Sequence, residues 1–173
     1  MAQGIYLALC IAQRGNNRMP AIKFRAMKST DIKASFKLIL KVANEFLFPT
    51  YPEEGRIEFK ARLGQIKSKL ADEKYISYVA EDAGKIIGIV QGSVRNGHAS
   101  LGLLFVDKRY HRKGVGTALM GKAESQFMRE VDAVKLYSSI HALEFYQTLG
   151  YVKTTGLRSK GGMMCYPMRK RLC

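Results

Sequence analysis

The densest chemistry in this 173-residue chain lies in Leu103–Met120, LLFVDKRYHRKGVGTALM. An apolar strand ends at Val106, a basic loop carries Lys108, Arg109, Arg112 and Lys113, and Gly114 and Gly116 then open a helix. These residue types in this order make an anion site. The first N–H groups of a helix have no internal partner, and the aligned peptide dipoles place partial positive charge there. Glycines lack a Cβ, so a diphosphate can approach the backbone closely, and flanking Lys and Arg add charge-assisted hydrogen bonds.

Two phosphate motifs fit this stretch poorly. The dinucleotide pattern G-x-G-x-x-G needs a third glycine where Leu119 stands, and no βαβ unit with an acidic residue about 20 positions on is evident. Gly116–Lys122 (GTALMGK) matches G-x-x-x-x-G-K, yet Ala123 stands where a magnesium-ligating Ser or Thr belongs. Ala118, Leu119 and Met120 also continue a helical stripe where an open loop would be required.

A third pattern fits. His111-Arg112-Lys113-Gly114-Val115-Gly116, followed by Ala118-Leu119, resembles the acetyl-CoA pyrophosphate loop of the GCN5-related N-acetyltransferase (GNAT) superfamily. That pattern is Q/R-x-x-G-x-G/A between a strand and a helix, with His111 here replacing Gln or Arg. Leu136–Lys153, LYSSIHALEFYQTLGYVK, resembles a later motif of the same family, A-x-x-F-Y-x-x-x-G-F/Y, through Ala142, Phe145, Tyr146, Gly150 and Tyr151. Ser139 stands where many members carry an asparagine facing the cofactor.

The resemblance implies an α+β fold with a mixed, mostly antiparallel central sheet of about six to seven strands flanked by about four helices. It implies acetyl-CoA as cosubstrate and no metal. Main-chain groups of Leu104, Phe105 and Val106 would meet the pantetheine arm, an N–H near Phe105 or Val106 polarising the thioester carbonyl. His111, Arg112, Lys113, Gly114, Val115, Gly116 and Thr117 would surround the pyrophosphate, with Ser139 and Ala142 beside them. Tyr146 would be the general acid for the departing thiolate, since a phenol with a pKa near ~10 stays protonated at neutral pH yet can yield its proton. Packing is its other reading, because Ala142, Phe145 and Leu149 lie near the same helical face.

The base is less evident. Glu81, at a strand end, is the candidate, and His98, at the start of another strand, is the alternative; both are otherwise solvated strand-end residues. Glu53 and Glu54 in PTYPEEG (49–55) would attract a cationic amine, or serve only as acidic residues favoured at a helix start. His141 lies near a helix start with no evident partner. Cys165 sits in an apolar run with no activating neighbour and reads as packing.

These residues need elements to hold them. Ala21–Met27 alternates as a strand, and Ser29-Thr30-Asp31 precedes a helix with Ile32, Phe36, Ile39, Ala43 and Phe46 on one face. PTYPEEG breaks it, and a second helix carries Phe59, Leu63, Ile66 and Leu70. Tyr75–Glu81, Lys85–Arg95 and His98–Asp107, separated by Asp-Ala-Gly and Asn-Gly, predict an antiparallel meander. A helix over Gly114–Val131, a strand over Ala133–Ser138, a short helix over His141–Leu149 and strands near Tyr151 and over Met163–Met168 complete the order.

Composition bounds the rest. The length suits one domain, residues 21–173, with residues 1–20 as an extension whose membership of the fold stays open. Hydrophobic residues at 47% allow a core, which excludes a disordered tail. The run Ile5–Ala12 is far shorter than the ~20 residues of a membrane span and lacks a basic leader, so neither export nor membrane is expected. Cys10, Cys165 and Cys173 are too few and scattered for a disulfide framework, pointing to a reducing cytoplasm.

The net charge is +15, from 29 Lys and Arg against 14 Asp and Glu. Four of these cations lie between Lys108 and Lys113, where the resemblance places coenzyme A. Six more follow Glu144, with no carboxylate after it, and have no assigned ligand. No RNA-recognition signature or helix-turn-helix accompanies the charge, so nucleic acid is not the expected partner. The expected function is acetyl transfer to a primary amine of a small molecule or peptide, by a monomer or homodimer. The rival readings are a non-catalytic acyl-CoA-binding protein and a basic nucleic-acid-binding protein.

Overall fold

The computed structural model describes residues 22–172. The extension 1–20, Ala21, Cys10 and Cys173 lie outside the described residues. Strand β1 (Lys23–Ala26) leads through a short turn into helix α1 (Ile32–Val42), whose last turn widens into a π-helical turn over Ala43–Leu47. Phe48–Thr50 then tightens to a 3₁₀ turn as Pro49 ends the helix. Helices α2 (Glu53–Ala61) and α3 (Leu63–Ala71) follow. They divide the single expected helix at Arg62, whose φ of −82° and ψ of −4° stay in the right-handed region but away from ideal helical values.

The meander forms as expected. Strands β2 (Ile76–Asp82), β3 (Lys85–Arg95) and β4 (His98–Val106) are antiparallel neighbours. Their hairpins turn through Ala83-Gly84 and Asn96-Gly97, with all four residues at positive φ. Two successive left-handed residues are what a tight turn between right-twisted strands requires.

Helix α4 (Val115–Phe127), strand β5 (Ala133–Ser139), helix α5 (Leu143–Thr148), short strands β6 (Val152–Lys153) and β7 (Arg158–Lys160), and strand β8 (Met163–Arg171) complete the chain. The sheet order is β1-β2-β3-β4-β5-β8-β6, with β7 also on β8. The expected mixed, mostly antiparallel sheet forms, and short β7 brings its strands to eight, because Gly161 and Gly162 at positive φ fold Arg158–Lys160 back onto β8. All pairings are antiparallel except β4 with β5.

Two apolar layers sandwich the sheet. One packs Val115, Leu119, Ala123 and Phe127 of α4 against Ala80, Val90, Leu101, Val134, Leu136 and Met168, with Tyr146 and Tyr151. The other packs Leu38, Ile39 and Val42 of α1 and Phe59 of α2 against Val79, Ile89 and Phe105. Among the described residues no helix is long and apolar enough to cross a membrane.

Candidate active site

Strands β4 and β5 pair only at Ala99–Val134 and Ser100–Lys135, so from Leu101 onward β5 offers β4 no ladder partner. Gly102 is an extra residue in β4, since Gly92 faces Leu101 while the adjacent Gln91 faces Leu103. Such a bulge bends a strand and re-aims its side chains. Beyond it Leu104 and Val106 pack toward α4 and α5, and Leu103 and Phe105 toward α1–α3. The result is an opening inside the sheet, edged by main-chain groups of Leu104–Val106 that β5 leaves unpaired.

The loop after β4 closes one end of this opening. The Asp107 carboxylate accepts from the Arg109 N–H at 3.0 Å, and the Tyr110 hydroxyl donates to Asp82, tying the loop to the β2–β3 hairpin. His111 Nε2–H donates to the Val106 carbonyl at 2.9 Å. Arg112 and Gly114 take left-handed φ of 58° and 75°, which turns the chain so that α4 starts abruptly. The first helical bond runs from the Ala118 N–H to the Gly114 carbonyl, leaving the N–H groups of Val115, Gly116 and Thr117 without helical partners. Such a concave run of N–H groups accepts an anion. Gly116 needs its small size, because a Cβ there would lie 3.1 Å from the Phe145 ring. These features fit a pyrophosphate with an extended arm entering the opening.

The loop after β5 closes the other side. The Ser139 side chain accepts from the Ala142 N–H at 3.3 Å, and the Tyr146 N–H bonds the Ala142 carbonyl at 3.2 Å, so Ser139 and Ala142 start α5. Tyr146 is only 6% exposed, and its ring packs on Phe145 and Tyr151. Burial pushes its hydroxyl above the ordinary phenol range, and among the described residues it takes no side-chain hydrogen bond. Tyr151 is anchored beneath it: its hydroxyl donates to Glu124 at 2.8 Å, and the Lys170 ammonium donates to the other Glu124 oxygen at 2.6 Å.

His141 lies just before α5 and finds a partner 95 positions earlier. Its ring stacks on Phe46 of the π-helical turn, with centroids 4.5 Å apart and planes at 24°. Phe46 also meets His111 at 5.1 Å, and Lys108 reaches the Phe46 ring at 6.0 Å. Desolvation, then the nearby His111, lowers the His141 pKa. The Lys41 ammonium, near the end of α1, donates to buried Asp107 at 2.8 Å, so α1 is pinned to the loop after β4. Lys41 and Arg109 hold the Asp107 carboxyl well below the usual carboxylate range.

Glu81, the candidate base, is held in an ion-pair cluster. It lies on β2, two strands from β4, and its carboxylate accepts two bonds from Arg25 at 2.6 and 2.9 Å; the same guanidinium grips Asp31. A carboxylate engaged this way fastens β1 to β2. His98 opens β4 at the end remote from Val106, about 26 Å away at ~3.3 Å per residue. Glu53 and Glu54 are exposed in the first turn of α2, and no bond joins them to the centre among the described residues. That turn abuts the β7–β8 hairpin, where Gly55 and Gly162 cross so closely that a Cβ on Gly55 would lie 2.3 Å from the Gly162 carbonyl oxygen. Cys165 is buried, with its thiol pKa raised by burial.

Residues 47–172 match the family model described as acetyltransferase (GNAT) domain. The fold is similar to that of the paia N-acetyltransferase from Thermoplasma acidophilum in complex with coenzyme A, at 16% identity and a TM-score of 0.72, over 87% of this chain and 99% of that one. It is similar to the ribosomal-protein-S18-alanine N-acetyltransferase from Escherichia coli, at 19% identity and 0.67, over 87% and 94%. It is also similar to the aminoglycoside 6'-N-acetyltransferase from Enterococcus faecium, at 14% identity and 0.67, over 87% and 97%.

Proposed function

The chain belongs to the acetyltransferase (GNAT) family, and from that premise we propose that it moves an acetyl group from acetyl-CoA to a primary amine by direct attack, without a covalent enzyme intermediate. The observation that carries this reading is the opening between β4 and β5, with buried Tyr146 on its α4 side and His141 on its α1–α3 side. Acetyl-CoA supplies an activated acetyl group and a thiolate leaving group.

The N–H groups of Val115, Gly116 and Thr117, with Arg112 and Lys113, would hold the pyrophosphate. Main-chain groups of Leu104, Phe105 and Val106 would orient the pantetheine arm, with one N–H polarising the carbonyl. Tyr146 keeps its proton because burial disfavours the phenolate, and gives it up to the departing sulfur. His141, neutral at pH 7 because its pKa is lowered, replaces Glu81 as the group that takes the amine proton. It sits beside Phe46, on the side where α1 and α2 form a wall for the acceptor. Glu53 and Glu54 at the start of α2 would draw a cationic amine toward that wall.

Thiol release from acetyl-CoA across a panel of small amines, aminoglycosides and peptide N-termini tests the reading. Amine-dependent release with N-acetylated product is expected. Tight acetyl-CoA binding without release for any amine would make the protein a binding protein instead.

A further inference from the structure

The helices α1–α3 cover one face of the sheet over β2–β4 and reach β8 only at its start. Farther along β8 no described element covers the same face, and it collects cations. Lys135 on β5 lies directly opposite Arg169 on β8, Ala133 opposite Arg171, and Tyr137 opposite Pro167. Antiparallel partners point to the same side, so these side chains share one surface. On the next strand Val152 lies opposite Arg169. Tyr137 is 58% and Val152 65% exposed, and the Lys160 ammonium sits 4.3 Å from the Tyr137 ring centroid.

Two features separate this face from an ordinary solvated one. Like charges directly opposite each other destabilise a sheet, yet Lys135 and Arg169 occupy such a pair with Arg171 two residues on. The surface is also hollow there, with a cavity of about 260 Å³ lined by Lys135, Arg169, His98, Asp132, Ala99 and Ala133. A second copy of the same face would bring cations against cations, and a planar bilayer would not enter the hollow.

We propose that this face binds a single strand of nucleic acid. Lys135, Lys160, Arg169 and Arg171 meet phosphates, the hollow takes a base or phosphate between Lys135 and Arg169, and Tyr137 offers its ring to a base. Base–aromatic stacking on a cationic groove is sequence-tolerant and is how single strands are held without a linear motif. A base arriving at Tyr137 displaces only an exposed cation–π contact, and Lys160 is then released to a phosphate. None of these residues belongs to the acetyl-CoA site, so the proposal stands apart from the acetyl-transfer reading.

Fluorescence anisotropy of labelled 12-nucleotide single-stranded RNA and DNA, titrated with the full chain from 50 to 300 mM salt, tests it. Binding that weakens steeply with salt is expected. Lys135→Ala combined with Arg169→Ala should weaken binding about tenfold and flatten the log–log salt slope by about 1.4, two phosphate contacts at ~0.7 each. Tyr137→Ala should weaken binding about fivefold with the slope unchanged. Acetyl-CoA affinity should be unchanged in both, and removing the like-charge pair should not lower the melting temperature. Absence of wild-type binding at 100 mM salt, indifference to both variants, or tighter binding of a duplex, of polyglutamate or of phosphatidylserine vesicles would overturn the proposal.

Discussion

The imidazole of His141 lies on the ring of Phe46, centroids 4.5 Å apart, and so joins the start of α5 to the π-helical turn that ends α1. This contact spans the opening between β4 and β5 on the side away from Tyr146. Helix α5 thereby carries Tyr146 toward one sheet face, while the turn before it carries His141 toward the other.

His141 should set the acidic limb of the rate profile. Its pKa is lowered from 6.5, by desolvation and then by the nearby His111. Activity should therefore hold through neutral pH and fall only below about pH 6.5 as the ring protonates. His141→Gln should lower kcat/KM by about 10²-fold and abolish that limb while acetyl-CoA affinity stays unchanged. If wild-type turnover is present and the variant keeps the limb, His141 is not the base.

Tyr146→Phe should lower kcat by about 10²-fold or more across pH 6 to 9, with little change in acetyl-CoA KM. Because burial raises the Tyr146 pKa, no basic limb from this residue should appear in that range. Turnover within twofold of wild type would reduce Tyr146 to a packing role.

The anion loop can be probed at its tightest point. Gly116→Val places atoms against Phe145, where even a Cβ already lies at 3.1 Å, and should raise the acetyl-CoA Kd at least tenfold by calorimetry. Gly114→Ala acts differently, costing about 1 kcal/mol for a left-handed φ of 75° while adding no clash.

Asp107 couples loop and acceptor helix, so Asp107→Asn should cost about 1–2 kcal/mol, the modest figure reflecting the solvent exposure of Lys41 and Arg109. The folded-state pKa is depressed, hence this contribution is complete above about pH 5 and declines as acid protonates the carboxylate. Urea melts of both proteins should differ at pH 7 and converge toward pH 2.

Glu53→Gln with Glu54→Gln should raise KM for a cationic amine about three- to tenfold and leave acetyl-CoA KM unaltered. An unchanged amine KM would leave these carboxylates as helix-start charges only.

Much of the site was legible because it is local. Strand end, basic loop, two glycines and helix occupy consecutive positions 103–120, and each demand, a left-handed φ at Gly114 or a missing Cβ at Gly116, is met by one residue type. Tyr146 and Tyr151 were likewise readable from five spaced residues on one short helix and turn. The ion pair of Glu81 was not legible, because a strand-end carboxylate looks the same whether it faces a substrate or a guanidinium, and Arg25 lies 56 positions away. Phe46 read as one more apolar residue on a helical stripe, with nothing to mark the π-helical turn that aims it at His141.

The amino-acid sequence by itself determined the family, the meander and the glycine loop that opens α4, since backbone conformation over a few residues depends on those residues' own sterics. Tertiary structure alone decided the His141–Phe46 contact, the crossing of α2 with the last hairpin, and the cationic face. His141 meets Phe46 only after the sheet is assembled, Gly55 meets Gly162 only when the last hairpin lands on α2, and Lys135 faces Arg169 only in this register. A slip of one residue in that pairing would send Arg169 to the opposite side, and no reading of either strand separately contains that information.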